Sequence, residues 1–208
     1  KTQLWWFYFE LLLACWLVHI ICSHPFRKNV PVFQAMENSG RRTLGEVDFL
    51  FGQKNESTLN HWEVTVKFYL HHEDAAGKTH WLGPAGRDRL DAKLARIFEH
   101  QLKLSETPEA CLEVERISTR PVDAAAFIKG YLFYPVALDD GVPDQSRNST
   151  FYSSLEVSPE HLRGWWLRHG ETNLPKKMAN SRWVYLPKFR WISGAWGSYA
   201  ESGQVLDD

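Results

Sequence analysis

"GEVDFLFGQKNESTLNHWEVTVKFYL", Gly45 to Leu70, is the stretch whose reading decides the fold. From Glu46 to Phe51 the residues alternate, with Val47, Phe49 and Phe51 on one side and Glu46, Asp48 and Leu50 on the other. "GQKNES" supplies turn residues, and alternation resumes from Trp62 to Tyr69. There Trp62, Val64, Val66 and Phe68 face one way, and Glu63, Thr65, Lys67 and Tyr69 the other. Two such runs about a turn make an antiparallel hairpin. A loop centred near Asn55 and Glu56 sets Asp48 across from Glu63, and Val47 and Phe49 across from Val64 and Trp62. A slip of one residue would send every apolar side chain to the wrong face, so a register that unites the apolar faces also unites the two acids.

Two carboxylates nearly opposite each other repel and destabilise the strand pair. A hard divalent cation would offset that cost: Mg²⁺, or Mn²⁺ in its place, takes one or two carboxylates with water and substrate phosphate. Lys67, on the same face, adds an ammonium that can position a water or stabilise a developing oxyanion. Cation, polarised water and ammonium together suit hydrolysis of a phosphodiester. The same three charges also read as a surface ion-pair cluster on the polar face of a half-solvated hairpin.

Upstream, "LWWFYFELLLACWLVHIICS", Leu4 to Ser23, is apolar on every side of a helix and long enough to span a bilayer. Glu10 and His19 interrupt it. An acid at mid-membrane costs about 3 kcal/mol while each Leu, Phe or Ile returns roughly 0.3 to 0.6, so magnitude leaves both a membrane span and a buried helix open. The following "CSHPF" lacks the small residues of a signal-peptide cleavage site. In a buried helix Glu10 must be paired or bind a cation, and it becomes a third candidate oxygen for an ion at Asp48 and Glu63.

The rest of the chain sorts into further elements. "NVPVF", Asn29 to Phe33, reads as a strand whose Pro31 suggests a sheet edge, and Gly40-Arg41-Arg42 as a loop. Gly83-Pro84 opens a helix through about Leu102, with Arg87, Asp88, Arg89, Asp91 and Lys93 toward its start. "FIKGYLFYPV", Phe127 to Val136, is a further strand, and a polar, turn-rich linker follows. The order of helix, three strands, helix and strand is an α/β arrangement. Residues 1–138 form its core, and 139–208 a linker with a basic, Trp-rich segment packing on that core.

Function classes narrow accordingly. The 208 residues are 44% hydrophobic and carry a net charge of -1, which gives no long-range attraction for phosphates, so any nucleic-acid surface is local. Three cysteines, two of them in one apolar segment, argue against a disulfide framework and for a reducing compartment, here taken as the cytoplasm. Between His161 and Trp196, seven Arg and Lys side chains stand against Glu171 alone, interleaved with five Trp. Arg163, Arg168, Lys188 and Arg190 in that tail, with Arg87, Arg89 and Lys93 at the helix start, are the candidate phosphate contacts. Asp88 and Asp91 are positioned to neutralise the second group, and the tail Trp to anchor on the core. His71, His72, Glu73, Asp74 and His80 lack zinc-site spacing and read as a solvated strand end. No Ser/His/Asp order, cysteine-nucleophile context or phosphate-cradling glycine loop stands out.

At the hairpin the sequence resembles the PD-(D/E)XK nuclease-like superfamily: "GEVDF" is similar to its GExD strand, followed after a turn by an acid and a lysine. More closely, "RTLGEVDFLF", "HWEVTVKFYL", "GPAGRDRLDAKLARIFEHQL", "KGYLFYP" and "HLRGWW" resemble a bacterial family defined only as a domain of unknown function. The superfamily resemblance implies a restriction-endonuclease-like core with a mixed central sheet flanked by helices. It also implies Mg²⁺-dependent endo- or exonuclease chemistry on DNA or another nucleic acid, and no small-molecule cofactor. Carried over, Asp48 and Glu63 are metal ligands, Glu10 the first-helix acid and Lys67 the catalytic lysine. The superfamily spacing would put that lysine at Thr65, so a nuclease-like module that binds nucleic acid or a partner protein without cutting is the alternative. A membrane-anchored protein through residues 4–23 is the third.

Overall fold

The computed structural model describes residues 4–37, 40–136, 157–158, 160–170 and 191. The elements are α1 (Leu4–Cys15, continued as a π-helical turn over Trp16–Ile20), β1 (Phe26–Ala35), β2 (Arg41–Gly52), β3 (Leu59–Glu73) and β4 (Thr79–Leu82). Then follow α2 (Leu90–Arg96, continued by a π turn over Ile97–Gln101 and a 3-10 turn over Leu102–Glu106), α3 (Pro108–Glu115), β5 (Val122–Pro135) and β6 (Leu162–Trp166). Strand order in the sheet is β1-β2-β3-β5-β6, with β4 also on β3. The β1–β2, β2–β3 and β3–β4 pairs are antiparallel and β5–β6 is parallel, so the sheet is mixed.

The central hairpin pairs Phe49 with Trp62, Leu50 with His61, Phe51 with Asn60 and Gly52 with Leu59. Continued by one step, this register sets Asp48 opposite Glu63. Strict alternation, however, fails at Asp48. Phe49 and Phe51 pack with Val64 against Leu13 and Leu17 of the first helical segment, whereas Val47 joins Leu50, Val32, Leu104 and Val114. On the neighbouring strand Asn29, across from position 48, has φ 54°, a left-handed conformation that Asn tolerates, and that pair is missing from the β1–β2 register, which shifts again between Val32 and Phe33.

The described residues gather into two compact units, residues 1–67 with 85–129, and 68–84 with 130–208; β3 and β5 run through both. The first unit has apolar cores on both faces of its strands, one under α1 and one under α3 and the turn before it. Trp62 and Phe127, stacked at 5.1 Å between ring centroids, extend the α1 core. In the second unit His71, Trp81 and Tyr134 form a cluster of rings, and Trp166 Nε1 donates to the His71 carbonyl.

Several elements differ from expectation. The second helix begins at Leu90, not Gly83, because Gly86 adopts φ 70° and Arg89 is extended at φ −126°, ψ 133°. Arg87, Asp88 and Arg89 therefore precede the helix. Arg41 and Arg42 belong to β2 and not to a loop. The short α3 was not anticipated; its start is set by Thr107, whose hydroxyl accepts from the Ala110 N–H, and by Pro108 in the first turn. Within the tail, "LRGWW" is a strand on β5. The first helix is not buried all round: Leu13 and Leu17 are covered, while Leu11, Leu12 and Ile20 are exposed. Among the described residues no helix is long and apolar enough to cross a membrane.

Phe49 is fully buried and Leu112 lies at the surface. Phe49→Ala is expected to lower unfolding free energy by about 3–5 kcal/mol in urea titrations, against less than about 0.5 for Leu112→Ala. Equal losses would show that the α1 core does not carry the fold.

Candidate active site

Glu63 stands on β3 with 1% of its surface exposed, and Asp48 is half-buried on β2. A carboxylate so placed has lost hydration and must find donors. For Asp48 the donor is the main chain: Val64 N–H gives a 2.8 Å hydrogen bond to Oδ2. Oδ1 takes no hydrogen bond from the described residues. Glu63 is satisfied by side chains. His61 Nε2 lies 3.0 Å from Oε1, and the Gln101 amide donates to Oε2.

Behind Glu63 the chain of contacts continues. His61, fully buried, meets the Ser105 hydroxyl at 2.9 Å through Nδ1. Ser105, His61 and Glu63 thus line up in the order of a nucleophile, base and orienting acid, an arrangement the sequence did not disclose because it joins two elements 44 residues apart. Gln101 also links the acid to a cation: its Oε1 accepts from Lys93 Nζ at 3.3 Å.

The charges act on one another. Burial raises the Asp48 carboxyl from the ordinary aspartate value of 3.8 to about 7. The Glu63 charge and, less strongly, Glu10 push the same way, while the Val64 N–H and Lys93 oppose them. Lys93 is half-buried, and burial followed by repulsion from Lys67 and Arg96 lowers its pKa, against the attraction of Asp48 and Glu63. Lys93 is therefore an ammonium held near the acid pair, not a solvated residue at a helix start.

The other expected residues fall as follows. Glu10 is buried on the inner face of α1 and forms a 2.7 Å ion pair with Lys28 of β1, the partner a buried acid requires. Arg89 pairs with Asp91, as the local reading expected, whereas Asp88 pairs with Lys67 of β3 and not with a cation of its own segment. Thr65, where the superfamily spacing would put lysine, is buried. Arg87 is exposed in the loop before α2. In the second unit Arg163 lies over the Tyr134 ring and Arg168 is exposed, while Lys188 and Arg190 lie outside the described residues. His71 is buried among rings and is not part of a solvated strand end; His80 pairs with Asp74 at 2.9 Å. No group of three or more His, Cys, Asp or Glu among the described residues is gathered to hold a metal.

With its folded-state value above the unfolded one, Asp48 contributes stability that is present below about pH 4 and lost as pH rises to about 7. Asp48→Asn keeps an acceptor for Val64 N–H and removes the charge. Its unfolding free energy relative to the unsubstituted protein is expected to grow between pH 4 and pH 7 in urea titrations. A difference independent of pH would mean that Asp48 is hydrated and ordinary.

One family model matches, that of the domain of unknown function DUF1853, over residues 4–206. The chain belongs to this family. No curated protein and no solved structure matches it.

Proposed function

We propose that this DUF1853 domain is a nuclease-like hydrolase of phosphodiester bonds, with DNA the first nucleic acid to test. The observation that carries this reading is Asp48 held by the Val64 N–H, one residue from Glu63, with the half-buried ammonium of Lys93 linked to Glu63 through Gln101. The element order α1, β1, β2, β3, α2, β5, with β4 and α3 inserted, supports a restriction-endonuclease-like core.

Asp48 and Glu63 would hold the divalent cation, Mg²⁺ or Mn²⁺. Their chemistry fits: Asp48 Oδ1 is without a protein donor among the described residues, each Glu63 oxygen has a second lone pair, and two carboxylates with water and phosphate suffice. Such an ion, when bound, supplies Lewis acidity and a water of lowered pKa. Everything else is done by the chain. His61 and Gln101 fix the plane of the Glu63 carboxylate, and the Val64 N–H that of Asp48. Lys93, poorly hydrated, stabilises negative charge growing on a phosphate oxygen. Glu10 adds negative potential from α1 while held by Lys28. Lys67, engaged with Asp88, is second to Lys93 in this role. Arg87, Arg163 and Arg168 are proposed phosphate contacts, and a cytoplasmic setting goes with the reading.

A second reading has its own observation. Each Glu63 oxygen already has one protein partner and Lys67 is committed to Asp88, so the same fold can persist as a module that holds nucleic acid without cutting it. One experiment separates the two. Purified protein is mixed with labelled single-stranded, duplex and branched DNA, with Mg²⁺ or Mn²⁺. Cleavage that falls at least about 100-fold in Asp48→Ala and in Lys93→Met is expected. Salt-sensitive retention of DNA with no cutting would replace it with the second reading, and cleavage untouched by Asp48→Ala would remove the assignment of this site.

A further inference from the structure

The first helix is built inside out. Its one charged side chain among those described, Glu10, is turned into the protein to meet Lys28, and the outward face has no formal charge. That face carries Tyr8, Leu11, Leu12, Cys15, Trp16 and Ile20, at the i, i+3, i+4, i+7, i+8 and i+12 spacing of a single helical stripe. Ile20 is 70% exposed, Leu11 59% and Phe7, at the stripe's edge, 57%. His19, also exposed, interrupts the stripe with a polar side chain. Water is a poor neighbour for so largely apolar a surface, and such a surface marks a contact.

What covers it is set by charge, length and area. A helix lying on a lipid surface brackets its apolar face with Lys and Arg, and α1 with its π turn has neither. The stripe from Phe7 to Ile20 rises about 20 Å, well short of a bilayer core. Composition points instead to the middle of a protein interface, where charges are depleted and aromatic side chains enriched. Six half-exposed large side chains offer on the order of 100 Å² each, so two copies face to face would bury at most roughly 1,200 Å², which reaches the lower bound for a specific, stable pair. The shape also suits a self-partner. Cys15 is a small residue near the middle of the stripe along its length and across its width, flanked by Leu11, Leu12 and Trp16, which gives a facing ridge somewhere to seat.

We propose that this stripe is the interface of a two-fold homodimer in which α1 packs against α1 of a second copy. In an isologous contact a residue near the axis meets its own equivalent, so the two Cys15 thiols come close. The pairing leaves Asp48 and Glu63 unaffected, since Leu13 and Leu17, on the opposite side of the helix, cover the strands that carry them. It stands or falls independently of the hydrolytic reading.

Sedimentation equilibrium of the full chain tests it. The unsubstituted protein is expected at twice the mass of one chain, and Leu12→Glu and Ile20→Glu at the mass of one chain with unchanged circular dichroism. A second measurement does not depend on those variants. In a Cys22→Ser, Cys111→Ser background, a short bis-maleimide is expected to join two chains through Cys15 at least tenfold faster than it joins two chains through Cys111 in the Cys15→Ser, Cys22→Ser protein. A single-chain mass for the unsubstituted protein overturns the proposal, as does a dimer that survives both glutamates. Flotation of single chains with lipid vesicles would assign the stripe to a membrane surface instead, and also overturns it.

Discussion

Asp48 accepting the Val64 N–H is the interaction on which the site depends. Up to the Phe49–Trp62 pair, β2 and β3 exchange main-chain hydrogen bonds in the usual way. One step further, a side-chain carboxylate stands in for a backbone acceptor. This bond fixes Asp48 beside Glu63 although burial, and after it the Glu63 charge, raises the cost of ionising Asp48. The remaining features of the site answer the charge so concentrated. His61 and Gln101 supply donors to Glu63, Ser105 braces His61, and Lys93 brings a cation whose own hydration is reduced.

The sequence made the strand register legible because a period of two permits only one parity once an apolar face must be buried, and the hairpin has enough apolar residues to enforce it. Val47 escaped: it leaves the side of Phe49 where β1 carries a left-handed Asn29 across from Asp48, and nothing in "GEVDF" records that. Glu10 could be read as a paired buried acid from the cost of an unpaired one, but not its partner, since Lys28 is chosen by how β1 passes under α1. Lys93, His61, Gln101 and Ser105 reach the site through tertiary contacts. The available signal was Lys93 and Gln101, eight residues apart along one run of helical turns, and His61 and Glu63, two apart on β3.

The expectation that two facing acids require an inorganic ion needs a physical qualification. In this fold their repulsion is partly met without one, by the Val64 N–H, by the donors on Glu63, and by partial protonation of Asp48 near neutral pH. A hydrogen-bonded acid pair of this kind can be a structural knot in a small sheet. It can equally be a site poised for a cation, because displacing a proton from Asp48 costs little near pH 7 and its Oδ1 takes no hydrogen bond from the described residues. The two differ in what the carboxylates do when a divalent ion is offered.

Electron paramagnetic resonance of Mn²⁺ titrated into the protein distinguishes them directly. A site poised for a cation predicts one tightly held Mn²⁺ per chain, displaced by excess Mg²⁺ and lost in both Asp48→Asn and Glu63→Gln. A spectrum of free Mn²⁺ at every protein concentration, or binding that survives both substitutions, would contradict it.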